Sequence, residues 1–265
     1  MRSLYLVALA ILLMLSSAAA RSNTFRAAGV PDPSVYYKGR FTNNLNWVDY
    51  LNETLARKHE VQVRNYAWGG ASACLSNVST ILFPYVKDLA EQVEDLLADV
   101  KAGLLPKRRN AKLLPIIWIG TNDVQFALAA AARLGALPTP GAIGALIGSI
   151  VTCRLEAVKT LAAGLGAAAR DIVLMPMVPL YTAPAVPDFL KPQPPAAPPQ
   201  DAPSPPCFIY PSSTLTITPG VVPCKDPNDR AFYDNLHVST RFHEWFATQG
   251  LLPRLQQLRL LPTAV

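Results

Sequence analysis

Residues 113–119, Leu-Leu-Pro-Ile-Ile-Trp-Ile, form a continuous apolar run of strand length closed by Gly120. A strand without polar alternation has to be covered on both faces, and such strands belong to parallel sheets flanked by helices. A second buried strand is expected over 171–178, and 61–67 alternates before running into Gly69-Gly70. Helical spacing covers 47–57 and 83–102, the latter with Val86, Leu89, Val93, Leu96, Leu97 and Val100 on one face. Alanine-rich helical stretches follow at 124–134 and 142–165, separated by Pro138 and Pro140. A last helical face, made by Phe242, Trp245, Phe246, Leu251 and Leu255, is expected to break at Gly250 and Pro253. The alternation of strand and helix predicts an α/β domain with a parallel sheet.

The amino end carries one more apolar run. Arg2, the twelve apolar residues 4–15 and the small residues 16–20 before Arg21 have the layout of a secretory signal peptide. Twelve residues fall short of the about 20 that span a membrane, and the later run 142–151 is shorter and broken by glycine. The expectation is therefore an exported, soluble chain without a stable membrane anchor. Residues 1–20 are the signal peptide, or the first strand if retained. Residues 21–265 form one domain with a proline-rich insertion at about 184–223, which holds 13 of the 25 prolines and has little to bury.

Composition narrows the function classes. The net charge of +6 comes without a basic run beyond Lys107-Arg108-Arg109, so no stripe for nucleic acid is present. A hydrophobic share of 51% excludes wholesale disorder. The four cysteines form no CxxC pair and no zinc spacing with histidine. In an oxidising compartment Cys207 and Cys224 are the pair expected to close the proline-rich loop, whereas Cys74 and Cys153 read as buried thiols. Asn52-Glu53-Thr54 and Asn77-Val78-Ser79 are glycosylation triplets.

Three polar constellations fall where ligands gather in such sheets, beyond the carboxyl ends of the strands. Asn65-Tyr66-Ala67-Trp68-Gly69-Gly70-Ala71 turns sharply and can present a backbone amide. Ile119-Gly120-Thr121-Asn122-Asp123 precedes a helix, so Asn122 can aim its amide at an oxyanion, unless Asn122 or Asp123 only caps that helix. In Tyr233-Asp234-Asn235-Leu236-His237, a carboxylate three residues ahead of a histidine can fix its tautomer and leave the other nitrogen as a base. The alternative there is a surface turn with an unpaired histidine. Of the other histidines, His59 sits among charges with no carboxylate before it in sequence, so His237 is the one expected to do chemistry.

Taken in order, "YYKGRFTNNLNWVDYL", "NYAWGGA", "IWIGTND" and "DNLHVSTRFH" resemble blocks of the GDSL esterases and lipases of the SGNH hydrolase superfamily, over about residues 23–246. The resemblance implies a three-layer α/β/α sandwich with a short parallel sheet and ester hydrolysis by a serine nucleophile. It implies His237 as general base, Asp234 as its orienting carboxylate, and Gly70 and Asn122 as oxyanion donors. The substrate implied is a small-molecule, lipid or acetylated-sugar ester, and no metal or organic cofactor is called for.

The chain departs from that family in two places. It contains no Gly-Asp-Ser, and counting back from Asn23-Thr24-Phe25 places Leu15, Ser16 and Ser17 where that block belongs. Ser17 is thus the positional nucleophile, with 4–15 as first strand, and cleavage after Ala20 would remove both. Three alternatives follow: a retained start, a shortened relative that keeps only an ester- or glycan-binding cleft, or a true start upstream of the recorded one. The proline-rich tract also stands where the family has a further helix and strand, which predicts a sheet missing an edge strand.

Overall fold

The structure is a computed structural model, and it describes residues 4–9, 31–58, 61–74, 85–105, 112–135, 138–169, 171–177, 205–209 and 220–261. Ser17, His59, Asn77, the basic triplet 107–109 and most of the proline-rich tract lie outside the described residues. The described chain is α/β, with a parallel four-stranded sheet in the order β2-β1-β3-β4. The strands are β1 (Leu4–Leu9), β2 (Gln62–Asn65), β3 (Lys112–Ile117) and β4 (Val173–Leu174).

Leu4–Leu9 of the amino-terminal apolar run are therefore part of the sheet, and residues 10–15 of the expected first strand lie outside the described residues. Strand β1 lies between β2 and β3, with Tyr5 opposite Gln62 and Leu113, and Leu9 opposite Ile117. Both neighbours run parallel to it, so three carboxyl ends emerge at one rim. Without β1, strands β2 and β3 would face a gap one strand wide, since neighbouring strands sit about 4.8 Å apart.

Strand β3 carries the two-sided burial expected of it. Leu114, Ile116 and Trp118 enter one apolar cluster, whereas Leu113, Ile117 and Ile119 enter another. The first cluster takes Trp47, Val48, Leu51 and Leu55 from α1 (Trp47–Lys58), together with residues of the carboxyl-terminal helices. The second takes Leu89, Val93 and Leu96 from α2 (Leu89–Lys101), and Ile150, Ala157, Leu161 and Leu165 from α4 (Pro140–Leu165). Period-two alternation in a strand is what divides one sequence between two cores.

Several sequence expectations are corrected. Helix α2 starts at Leu89, not at residue 83, because Asp88 and Glu91 form a reciprocal capping box there. Helix α3 (Thr121–Arg133) starts three residues earlier than Val124. The strand expected over 171–178 shrinks to β4, at the edge of the sheet among the described residues, with Leu174 exposed and the Met175 N–H donating to the Ile117 carbonyl beyond it. Gly250 and Pro253 do not end the last helix. Helix α5 (Thr240–Trp245) passes through a π-helical turn, Phe246–Leu251, into α6 (Leu252–Gln257), where Pro253 falls in the first turn and no intrahelical donor is required of it. Leu251 and Leu255 of the expected apolar face are buried, whereas Phe242 and Trp245 are exposed and His243, Ala247 and Leu252 are buried in addition.

Helix α4 also overturns the expectation that no later segment is long and apolar enough to span a membrane. Residues Pro140–Ala168 meet both conditions by length and composition, and only 17% of the most apolar window is buried. Arg154, in the middle of that helix, donates to the Met175 carbonyl, which ties α4 to the end of β4.

A chain beginning at Arg21 lacks β1. It is expected to show no cooperative thermal unfolding transition, and a sharp transition in that shortened chain would mean that the sheet closes without β1.

Candidate active site

The Asp-x-x-His segment is a tight buried turn rather than a surface one. The Tyr233 N–H donates to the His237 carbonyl at 2.7 Å, closing the turn. Asp234 is fully buried, and His237 is 3% exposed. Oδ1 of Asp234 accepts the N–H groups of Leu236 and His237, each at 2.7 Å. Oδ2 meets Nδ1 of His237 at 2.5 Å and accepts the Tyr36 hydroxyl at 2.5 Å. With Nδ1 committed to the carboxylate, Nε2 is the nitrogen placed for proton transfer.

The segment over residues 36–47 holds this turn in place. The Thr42 hydroxyl donates to the Val238 carbonyl, Asn43 Oδ1 accepts the Thr240 N–H, and the Thr240 hydroxyl donates to the Leu45 carbonyl. Asn46 caps α1 by accepting from Val48 and Asp49, while Asp49 accepts the Asn46 N–H in return. Arg40 grips the same Asp49 carboxylate with two nitrogens, at 2.5 and 2.6 Å. Phe41 lies against the His237 ring with centroids 4.9 Å apart. Sequence reasoning missed Tyr36, Phe41, Thr42 and Asn43 as parts of the site; the only signal for them was their place in that stretch.

The glycine and asparagine segments form a second assembly. Gly70, with φ +80°, is the third residue of a turn in which the Ala71 N–H donates to the Trp68 carbonyl. That is the position where a type II turn demands a left-handed backbone. Asn122 and Asp123 sit in the first turn of α3, yet both side chains reach across to this loop. Asn122 Nδ2 donates to the Ala71 carbonyl at 2.8 Å, which leaves its second N–H for an oxyanion. The Asp123 carboxylate accepts the N–H groups of Ala73 and Cys74. Burial pushes the Asp123 carboxyl above its usual range, opposed by those amides and by its own backbone N–H.

Beneath this assembly Gly120 has φ +124°, and a Cβ there would lie 2.7 Å from Ile150 and 2.8 Å from the Met177 sulfur. Cys74 and Cys153 form a disulfide joining the glycine loop to α4, so the reading of these two as buried thiols is corrected. Cys207 and Cys224 pair as expected. The signal missed for the first pair lay in the fold, since the two positions are 79 residues apart.

Trp68 joins the two assemblies. It packs against the cluster containing Ile117, Ile119 and Ala71, and also against the cluster containing Tyr36, Phe41, Phe208, Tyr233 and Leu236. The Gly70 turn thus directly follows a side chain seated on the wall of the histidine site. Among the described residues no group of three histidine, cysteine, aspartate or glutamate side chains is placed to hold a metal ion. Compared with known proteins, the chain matches no family model and no curated sequence.

A second histidine lies behind the first. His243 is buried and its Nε2 makes no hydrogen bond among the described residues; burial, reinforced by the charge of His237, pushes its imidazole down to about 3. The unfolded chain takes up that proton near 6.5 while the folded chain does not. Stability from this group is therefore full above about 6.5 and is lost as pH falls below it, by about 1.4 kcal/mol per pH unit at most. His243→Phe is expected to flatten the fall of melting temperature between pH 6.5 and pH 4. Unchanged steepness in that variant would show that acid lability arises elsewhere. Gly120→Ala is expected to lower stability by about 1–3 kcal/mol, measured by urea unfolding, since the added methyl has neither space nor an accessible backbone conformation.

Proposed function

We propose that the chain is a carboxylic ester hydrolase of the GDSL type, with the layers of an SGNH α/β/α sandwich. The observation that carries this reading is the buried Asp234–His237 pair, with Trp68 packed both against the aromatic cluster beside that pair and against the cluster that takes in Ala71 of the glycine loop. In the proposed mechanism His237 Nε2 takes the proton of a serine hydroxyl as the oxygen attacks the ester carbonyl. The Gly70 N–H and the second Asn122 N–H receive the negative charge that develops on the carbonyl oxygen. His237 then delivers the proton to the departing alcohol, and water, deprotonated by the same nitrogen, releases the acyl group.

Ser17 is the proposed nucleophile. It follows β1, whose carboxyl end lies at the same rim as that of β3, the strand that leads to Gly120 and Asn122. This assignment requires the amino-terminal run to stay in the working molecule, because cleavage after Ala20 would take β1 and Ser17 together. Export remains part of the proposal and is supported by two disulfides, which persist in oxidising compartments. The substrate proposed is a small-molecule, lipid or acetylated-sugar ester.

The competing reading is a non-catalytic relative with an ester- or glycan-binding cleft, favoured by the missing Gly-Asp-Ser. A serine-directed fluorophosphonate separates the two. The hydrolase reading expects labelling of Ser17, hydrolysis of 4-nitrophenyl acetate, loss of turnover in His237→Ala, and a fall of about 10²–10³ in Asn122→Ala. Turnover that survives His237→Ala, or a mature chain beginning at Arg21 that still hydrolyses the ester, would remove this mechanism.

A further inference from the structure

The carboxylate of Asp234 is shared between two acidic protons on one oxygen. Oδ1 is occupied by two backbone N–H groups, so the whole interaction with the imidazole runs through Oδ2. That same oxygen accepts the Tyr36 hydroxyl, from a residue 198 positions away in sequence. We propose that Tyr36 is a positioning residue that acts through Asp234, fixing Oδ2 and moderating how tightly the carboxylate holds the protonated His237 ring.

The surroundings make this phenol a built feature. Tyr36 is 3% exposed, and its ring makes edge contacts with Phe41, Phe208, Tyr233 and His237 at centroid distances of 5.4 to 6.2 Å. Its backbone N–H donates to the Asp32 carbonyl at 2.9 Å, within a turn that Asp32 also closes by accepting from Ser34. The Tyr233 hydroxyl donates to the Val35 carbonyl, pinning the residue next to Tyr36. A phenol so held has few other directions for its proton, and a hydrogen bond to a charged acceptor is worth more than one to a neutral group.

The consequence has a sign. A donor on Oδ2 withdraws part of the negative charge seen by the imidazole, so removing it strengthens the grip on the protonated ring. The neutral, basic ring then requires a higher pH. The other titratable groups around the pair do not change charge in the working range: burial, with the Asp234 charge, pushes the Tyr233 phenol up to about 12, and His243 lies at about 3. Cys207, whose N–H donates to the Tyr233 carbonyl, is held in a disulfide.

The test uses the full chain with Tyr36→Phe, and a second form with 3-fluorotyrosine at position 36, which retains the ring and donates more strongly. The His237 ring titration is followed by 1H–15N NMR, and the acid limb of kcat/KM is followed with 4-nitrophenyl acetate. Tyr36→Phe is expected to move both midpoints up by about half to one pH unit, with kcat/KM at acid pH down by about 3- to 10-fold and KM little changed. Fluorotyrosine is expected to move both midpoints down. The kinetic arm rests on the hydrolase reading, whereas the NMR arm does not. Opposite NMR shifts in a protein without turnover would uphold the role of Tyr36 and count against the hydrolase. Unmoved midpoints in either folded variant would reduce Tyr36 to a packing residue and overturn the inference. If Tyr36→Phe fails to fold, the fluorotyrosine form decides alone.

Discussion

A carboxylate with no exposure to water is tolerated only if every oxygen is provided with donors, and Asp234 meets that condition with two backbone amides, a phenol and an imidazole. The requirement organises much of the molecule. The backbone donors oblige 233–237 to close into a tight turn. The phenol obliges the segment around Tyr36 to dock against that turn, and the docking brings Phe41 onto the histidine ring and Thr42 and Asn43 onto the entry to α5. Segments nearly 200 residues apart are joined because one buried charge must be satisfied from both. The aromatic cluster around them excludes water, and that exclusion makes each of those hydrogen bonds count for more.

The opposite assembly is fixed by different means. There the recurring device is a side chain from the first turn of α3 that abandons its own helix and bonds a neighbouring loop. Asn122 takes the Ala71 carbonyl and Asp123 takes two consecutive amides, so the chain leaving the glycine turn is fastened at three points. The disulfide from Cys74 to α4 continues the restraint, and Gly120 lets α4 approach closely enough to make it. An oxyanion donor is useful only when it is held before charge appears, since a donor that must move into place spends its interaction energy on reorganisation. Local fastening of this kind adds to the restraint of the buried cluster into which Ala71 and Ala73 pack.

What the sequence disclosed follows the range of the forces involved. Strand β3 was legible because double-sided burial leaves an unbroken apolar run, and α1 and α2 were legible because their faces repeat at helical period. Strand β4 was overestimated, since 171–178 has the composition of a buried strand, yet among the described residues β4 pairs on one side, and Arg154 caps the Met175 carbonyl just beyond it. The π-helical turn before Pro253 was not foreseeable from breaker rules, which treat proline as an end and not as the start of the next segment. At the site, Asp234 with His237 and Asn122 were readable from short spacing. Tyr36 and the Cys74–Cys153 link depend on contacts made only after the sheet assembles, and no local pattern encodes them.

The amino-terminal run shows how one composition satisfies two physical demands. A signal sequence and a central parallel strand both require an uninterrupted apolar stretch, the first to enter a membrane and the second to be covered on both faces. Length discriminates weakly between them, because twelve residues suit a signal core and exceed a strand. Position in the fold meets the second demand. The run pairs on both edges, with Leu4 to Leu9 in register against Lys112 to Ile117, and a strand at that place cannot be removed without leaving β2 and β3 unsatisfied. Strand β1 is one of the two inner strands of that sheet. Leu4–Leu9 are thus held by the sheet on both sides, and this pairing is independent of whether Ser17 is a nucleophile.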